Sequence, residues 1–181
     1  LEDYAALHDW SVRSPEDFWC AVWTFCGVRG DRGARAIADP SLMPGARFFP
    51  DARLSFVENL LSRRGGEPAI IAESEAGSRR EISWDDLGAL VGRMAAALTG
   101  AGVAEGDRVA GIISNVPEAV VAAMGAAAIG AVWTSCSPDF GVQGMLDRFG
   151  QVNPAVLVVV SSYEYGGKSF DVLGKVREAI D

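Results

Sequence analysis

The residues best placed to do chemistry run from Gly130 to Gly141, reading Gly-Ala-Val-Trp-Thr-Ser-Cys-Ser-Pro-Asp-Phe-Gly. A short β-branched strand here gives way to small and polar side chains. In an open α/β sheet, loops leaving the carboxyl ends of strands line the ligand crevice. A second such stretch is Ser161 to Ser169, Ser-Ser-Tyr-Glu-Tyr-Gly-Gly-Lys-Ser, which follows a Val-rich strand. Gly166 and Gly167 allow close backbone approach, and Lys168 supplies one positive charge beside an expected helix start. That combination suits an anionic group such as a nucleotide phosphate. It also reads as a solvated loop lysine, and Gly-Gly-Lys is not a Walker loop, which needs a longer glycine frame.

Other chemistry-bearing residues point less far. Gly100, Gly102 and Gly106 close a helix and precede a strand, the reverse of a dinucleotide fingerprint. Asn115-Val116-Pro117-Glu118 opens a helix after a strand, with proline at the first position and an acid at the positive end of the macrodipole. This serves helix initiation and leaves room for a crevice-lining role. Cys20, Cys26 and Cys136 fit no zinc spacing and read as buried thiols of a reducing compartment. His8 is the single histidine; near a polar terminus it reads as a surface side chain rather than half of a catalytic dyad.

These residues need a scaffold, and the punctuation of the chain supplies one. Ser14-Pro15-Glu16-Asp17 is a helix start, followed by Phe18, Trp19, Val22, Trp23 and Phe25. Residues 30–50, rich in glycine and proline, are expected to form an irregular arm, and Phe56 to Leu61 a second helix ending before Gly65-Gly66. Beyond Pro68 the pattern alternates. Ala69–Glu73 and Arg79–Ile82 form a hairpin, and Ser83 caps a helix with apolar residues at Leu87, Leu90, Val91, Met94, Ala97 and Leu98. Arg108–Ile113 is a strand, Pro117–Ile129 a helix, Ala131–Ser135 a strand, and Val142–Val152 an amphipathic helix. Ala155–Val160 is a strand of the kind found inside parallel sheets, and Phe170–Ile180 the last helix. The fold class expected is α/β: a doubly wound, mostly parallel sheet with helices on both faces, preceded by a helical and irregular N-terminal arm. The division is residues 1–64 for the arm and 65–181 for the first α/β part of a larger domain.

Composition narrows the class of function. The 181 residues are 49% apolar and 22% charged, enough for a substantial core. A net charge of −8 provides no basic stripe for nucleic acid. The longest apolar stretch, Ala119 to Val132, is shorter than the roughly 20 residues of a bilayer span. The acidic start Leu-Glu-Asp-Tyr is unlike a secretory signal, so a cytoplasmic protein is expected. Leu1 in place of methionine and an uncapped helical pattern at Asp181 give the expectation of a segment of a longer chain.

Taken together the motifs resemble the acyl-adenylate-forming acid–CoA ligases, and within them the acetoacetate–CoA ligases. Phe18-Trp19, Ala46 to Phe56 and Glu58-Asn59-Leu60-Leu61 resemble the N-terminal arm of the acetyl- and acetoacetyl-type enzymes. Phe48, Asp51 and Ser55 depart from the usual tryptophan, glycine and asparagine. Ile82-Ser83-Trp84-Asp85-Asp86-Leu87 resembles the first core motif, and Gly130 to Gly141 the second, in its acetoacetate-type spelling Ser-Cys-Ser-Pro-Asp-Phe-Gly. Arg148-Phe149-Gly150-Gln151, Pro154 and Tyr163 to Lys168 extend the likeness.

The resemblance implies a two-step reaction in a full-length enzyme. ATP and a carboxylate give an acyl-adenylate and pyrophosphate; the CoA thiol then displaces AMP. Mg²⁺ would offset the triphosphate charge. It also implies that Ser137, Pro138 and Asp139 lie along bound CoA, and that Tyr165 and Lys168 approach its nucleotide. Those two positions are arginine in acetyl-type relatives; Lys168 keeps the charge, while Tyr165 offers stacking or a hydrogen bond. Trp133 is a candidate pocket wall or a plain core aromatic. No catalytic or metal-ligating residue is expected in this segment, and no cofactor held tightly by it. The expected partners are acetoacetate, ATP, CoA and the rest of the ligase chain, with no nucleic acid or membrane. A related short-chain acyl–CoA synthetase and a non-catalytic α/β binding module are the alternatives.

The phosphate loop, the ribose-binding aspartate and the adenylation lysine of such ligases are not found in these 181 residues. The segment alone is therefore expected to give no acetoacetate-dependent ATP–pyrophosphate exchange, measured with labelled pyrophosphate. Exchange above background would show that adenylation does not need those motifs.

Overall fold

Proline, glycine and short polar residues set most element boundaries. The structure, a computed structural model, describes residues 3–180. The chain divides into two compact units between Asn59 and Leu60.

The first unit begins with α1 (Tyr4–Arg13), a helix ahead of the expected start at Ser14; Asp3 caps it, accepting from the Ala6 N–H at 2.8 Å. His8 lies exposed on this helix. Next comes α2 (Pro15–Phe25), with Pro15 at its first turn as expected. The Ser14 hydroxyl makes no capping bond: at φ −132° and ψ 62° its backbone is away from the extended conformation of a usual cap, and its N–H closes α1 onto the Trp10 carbonyl. The two helices meet through Trp10, Phe18 and Trp19, packed edge-to-face with centroids 5.4 Å apart. Trp19 and Trp23 then reach Phe48 and Phe49 at 5.4 and 5.0 Å. The arm is less irregular than its composition suggests. Strands β1 (Ile37–Ala38) and β2 (Arg47–Phe48) pair antiparallel, and Arg35 forms a two-pronged ion pair with Asp51 at 2.6 and 2.8 Å. Helix α3 (Phe56–Leu60) is capped by Ser55, whose Oγ accepts from the Glu58 N–H at 3.2 Å. Asp51 and Ser55, two of the departures from the usual arm, thus each have a local partner.

The second unit opens with the antiparallel hairpin β3 (Pro68–Glu73) and β4 (Arg79–Ser83). Ser83 caps α4 (Trp84–Gly100) by accepting from the Asp86 N–H. Then follow β5 (Arg108–Ile112), α5 (Pro117–Ala128), β6 (Val132–Cys136), α6 (Val142–Phe149) and β7 (Val156–Val159). A second hairpin, β8 (Ser162–Tyr165) and β9 (Lys168–Asp171), leads into α7 (Leu173–Ile180). Among the described residues, no helix is long and apolar enough to cross a membrane.

Strands β6, β5 and β7 form a parallel sheet in that order, with Ala110 opposite both Thr134 and Leu157. Helices cover both faces. Val109 points into a core with Leu98, Val103 and Ala126 from the α4–α5 side; Ala110 and Ile112 point into another with Met145, Phe149, Val172 and Val176 from the α6–α7 side. The doubly wound arrangement is as the sequence predicts.

Two expectations are corrected. Among the described residues, the Val-rich strand β7 is bonded to β5 alone and lies at an edge of the three-stranded sheet, with β5 inside. An all-apolar run reports two covered faces; it does not report two hydrogen-bonded edges. The Ser161–Ser169 stretch is not a loop entering a helix at Phe170. It forms the β8–β9 hairpin, and α7 starts only at Leu173. Two glycines in left-handed conformation (φ 58° and 72°) make a tight primed turn that pairs the flanking residues instead.

Gly111 is required by a close approach. A Cβ there would lie 2.6 Å from the Trp133 ring on the neighbouring strand. Gly111→Ala should therefore destabilise the chain by about 1–3 kcal/mol. Trp133→Leu in the same chain should return part of that loss, which a double-mutant cycle by urea denaturation measures.

Candidate functional site

The sheet's crossovers determine where a ligand can sit. From β5 the chain passes through α5 to β6 on one side; from β6 it crosses back through α6 to β7 on the other side of β5. The helices after β5 and β7 pack on opposite faces, α5 in one core and α7 in the other. The loops beyond β5 and β7 therefore diverge and leave a crevice, the topological switch point of an open α/β sheet. A cavity of ≈ 510 Å³ occupies this place. Ser114 and Asn115 line it from the β5 side, Ser162, Tyr163 and Glu164 from the β8–β9 hairpin, and Ser74, Glu75, Ser78 and Arg80 from the β3–β4 hairpin.

One wall is an ion pair, Arg80 to Glu118 at 2.7 Å. Partial burial opposes ionisation of Glu118, but the Arg80 hydrogen bond, a backbone N–H and the Arg80 charge outweigh it and hold this carboxyl below the usual range. Both side chains are more than half exposed, so the pair serves to place α5 against β4 and adds little to stability.

The loop after β6 is fixed from beneath. Pro138 is fully buried, and its carbonyl accepts from Lys175 Nζ of α7 at 3.3 Å. Phe140 lies under the Arg148 guanidinium, 5.2 Å from the ring centroid, and Arg148 also donates to the Ser135 carbonyl at 3.4 Å. Ser137 and Asp139, on either side of the buried proline, are exposed. Cys136 is buried with its thiol pushed up by burial; Asp139 adds to this and Arg148 works against it. The expectation of three buried thiols is corrected: Cys20 is half-buried and Cys26 exposed, because α2 turns its last residues outward, leaving Phe25 91% exposed beside Cys26.

On the hairpin, Tyr165 and Lys168 are directly paired across β8 and β9, so they stand side by side on one face. Tyr163 and Phe170, the next pair on that face, stack at 5.2 Å, and Tyr163 packs against the α6–α7 core. Because α7 begins beyond them, Lys168 is not beside a helix N-terminus, and any anion there would meet the lysine without helix amides. Ser137–Asp139 and Tyr165–Lys168 do leave the same sheet edge, but β5 stands between their strands. The strands that lead to them, β6 and β7, are thus two strand spacings apart, about 10 Å. Among the described residues no hydrogen bond joins the two groups. Trp133 points to the other face, packed with the α4–α5 core over Gly111.

Residue types alone did not single out Lys175 or Glu75. Lys175 reads as an ordinary polar position of an amphipathic helix, and Glu75 as a turn residue. Asn115, placed after a strand and before a helix, reads as a crevice candidate, and it lines the cavity. Among the described residues, no group of three or more His, Cys, Asp or Glu side chains is placed to hold a metal ion.

The pattern of the family described as AMP-binding enzyme matches residues 57–180, and that of the acetyl-coenzyme A synthetase N-terminus matches residues 4–60. An acetoacetyl-coenzyme A synthetase from Rhizobium meliloti is 49% identical over 97% of this chain, and an acetoacetyl-CoA synthetase from Macaca fascicularis 36% identical over 99%. The chain spans 27% of the length of each. The solved structure of acetoacetyl-CoA synthetase from Streptomyces lividans superposes with a TM-score of 0.89 at 44% identity, covering 99% of this chain and 28% of that one.

The cysteines offer a check on the burial of the β6 loop. In the 181-residue chain, Cys26 should react first with a thiol reagent at pH 8. Cys136 should remain unmodified until the chain is unfolded, since its raised pKa and its burial both reduce accessible thiolate. Mass spectrometry of the labelled peptides reads the order.

Proposed function

The chain belongs to the AMP-binding enzyme family, and from that premise we propose that the protein containing it is an ATP-dependent, AMP-forming acetoacetate–CoA ligase. The observation that carries this reading is the likeness to acetoacetyl-CoA synthetases, which runs through both units of the chain rather than through one motif.

In this reaction a carboxylate oxygen of acetoacetate attacks the α-phosphorus of ATP, and pyrophosphate leaves with the electrons of the broken P–O bond. The CoA sulfur then attacks the acyl carbon, and AMP departs as the C–O bond breaks. Mg²⁺ bound with ATP would offset charge on the triphosphate. Among the described residues no group of carboxylate, histidine or cysteine side chains is placed to hold the ion, and none is assigned a step through it. A cytoplasmic location accords with the use of ATP and CoA.

The role we assign to this chain is on the CoA side. Ser137 and Asp139 offer exposed polar groups on a loop that buried Pro138 and Lys175 hold still. Tyr165 and Lys168 give an aromatic ring and a cation on one face of a hairpin, a pair suited to a base and a phosphate of the CoA nucleotide. Trp133 is assigned to packing, because its indole covers Gly111.

Two measurements on the full-length enzyme test this. AMP formation with CoA should be fastest for acetoacetate when compared with acetate and propionate; equal rates would favour a broader short-chain synthetase. Lys168→Ala should raise the CoA KM by about tenfold, the value of one charge-assisted contact, and leave ATP–pyrophosphate exchange nearly unchanged, as CoA is absent from that half-reaction. Lys168→Arg should be tolerated. Equal losses in both assays, or none in either, would make the lysine a solvated side chain.

A further inference from the structure

The β3–β4 turn is built to hold one side chain in place. Ser74 and Ser78 are joined by both backbone and side chain. The Ser74 N–H donates to the Ser78 carbonyl at 3.0 Å, their hydroxyls meet at 2.7 Å, and the Ser78 N–H reaches Ser74 Oγ at 3.2 Å. The Gly77 N–H closes the loop onto the Ser74 carbonyl at 2.9 Å, with Gly77 at φ 79°. Such a closed three-residue loop fixes the direction in which Glu75 leaves the hairpin.

The Glu75 carboxylate accepts from the Gly166 N–H at 2.9 Å, a contact between residues 91 apart in the chain. Gly166 is the first residue of the β8–β9 turn, and Tyr165 and Lys168 flank that turn directly. A two-residue hairpin with glycine at both central positions has a stiff register but a freely bending tip. The Gly166 N–H faces outward from such a turn and has no partner within its own hairpin. Glu75 supplies the partner and ties the tip to the β3–β4 hairpin.

We propose that Glu75 is a positioning residue for CoA: its carboxylate holds the Gly166–Gly167 turn so that Tyr165 and Lys168 are presented together to the CoA nucleotide. The inference rests on the CoA assignment made above. It assigns Glu75 no contact with CoA. Its negative charge lies near a proposed anion site, so a role by direct attraction is excluded, and the benefit comes through order at the tip. The hydrogen bond needs an acceptor oxygen rather than a charge, so glutamine should serve nearly as well.

The test uses the full-length enzyme with four variants. Glu75→Ala should raise the CoA KM about three- to tenfold, with ATP–pyrophosphate exchange unchanged, and should speed amide hydrogen exchange across residues 163–170. Glu75→Gln should restore both to near the parent values. In the double variant Glu75→Ala/Lys168→Ala, the CoA KM should rise by less than the product of the two single effects, because part of what the held tip presents is the lysine; a full product would overturn the positioning role. An unchanged or lowered CoA KM in Glu75→Ala, beside a raised one in Lys168→Ala, would overturn the positioning role and leave the CoA assignment standing. An unchanged CoA KM in Lys168→Ala would remove the CoA assignment and the inference with it. Loss of pyrophosphate exchange in Glu75→Ala in proportion to the CoA effect would reduce Glu75 to a structural residue.

Discussion

Everything in the second unit depends on burying β5 on both faces and along both edges. Its sequence, Arg-Val-Ala-Gly-Ile, is suited to that position: Val109, Ala110 and Ile112 are at most 1% exposed. Small residues at Ala110 and Gly111 let layers close in from opposite directions, α6 and α7 over one face and the Trp133 indole with α4 and α5 over the other. A parallel strand cannot be half-solvated without exposing apolar surface, so the crossovers must deliver helices to both sides. Right-handed crossovers then leave few ways to arrange three strands and their helices.

The site follows from the same constraint. Since the chain leaves β5 toward one neighbour and returns to place β7 on its other side, the loops at the carboxyl edge part between β5 and β7. The crevice is a consequence of covering both faces, and its lining is whatever the diverging loops carry, in this chain Ser114, Asn115 and the β8–β9 hairpin. The loop after β6 lies one strand further along and is organised differently. Pro138 is sunk into the structure, Lys175 and Arg148 hold neighbouring carbonyls, and the polar residues on either side of the proline remain exposed.

Rigid and compliant parts alternate along this edge. The β6 loop is anchored by a buried ring and two long cationic side chains, each contacting backbone oxygen. The β8–β9 hairpin is anchored at its base by the Tyr163–Phe170 stack and at its tip, among the described residues, by the hydrogen bond from Gly166 to Glu75. Local stability is set by such counts of buried contacts and protected bonds. The tip is therefore the part most sensitive to loss of one partner, and it carries the tyrosine and lysine of greatest chemical interest.

Much of this was legible in the residues. Helical spacing from Leu87 to Leu98, the Ser83 cap, proline at 117 and glycines at 77 and 102 fix elements by local sterics and hydrogen bonding, which act over a few residues and need no distant partner. The motif at Gly130–Gly141 likewise marked the loop after β6 and the family. Which strand lies at the centre was decided only in three dimensions: β5 and β7 are both apolar, and hydrogen-bonding edges leave no mark on hydrophobic pattern. Gly166 and Gly167 read as a loop open to close backbone approach, yet glycine pairs suit a loop and a primed hairpin equally. The stacking of Tyr163 on Phe170 and packing against the α6–α7 core select the hairpin, and with it move Lys168 away from the helix start. Glu75 and Lys175 gained their partners from segments 91 and 37 residues away. A contact at that distance is created by the fold, since no local force between neighbours in sequence encodes it.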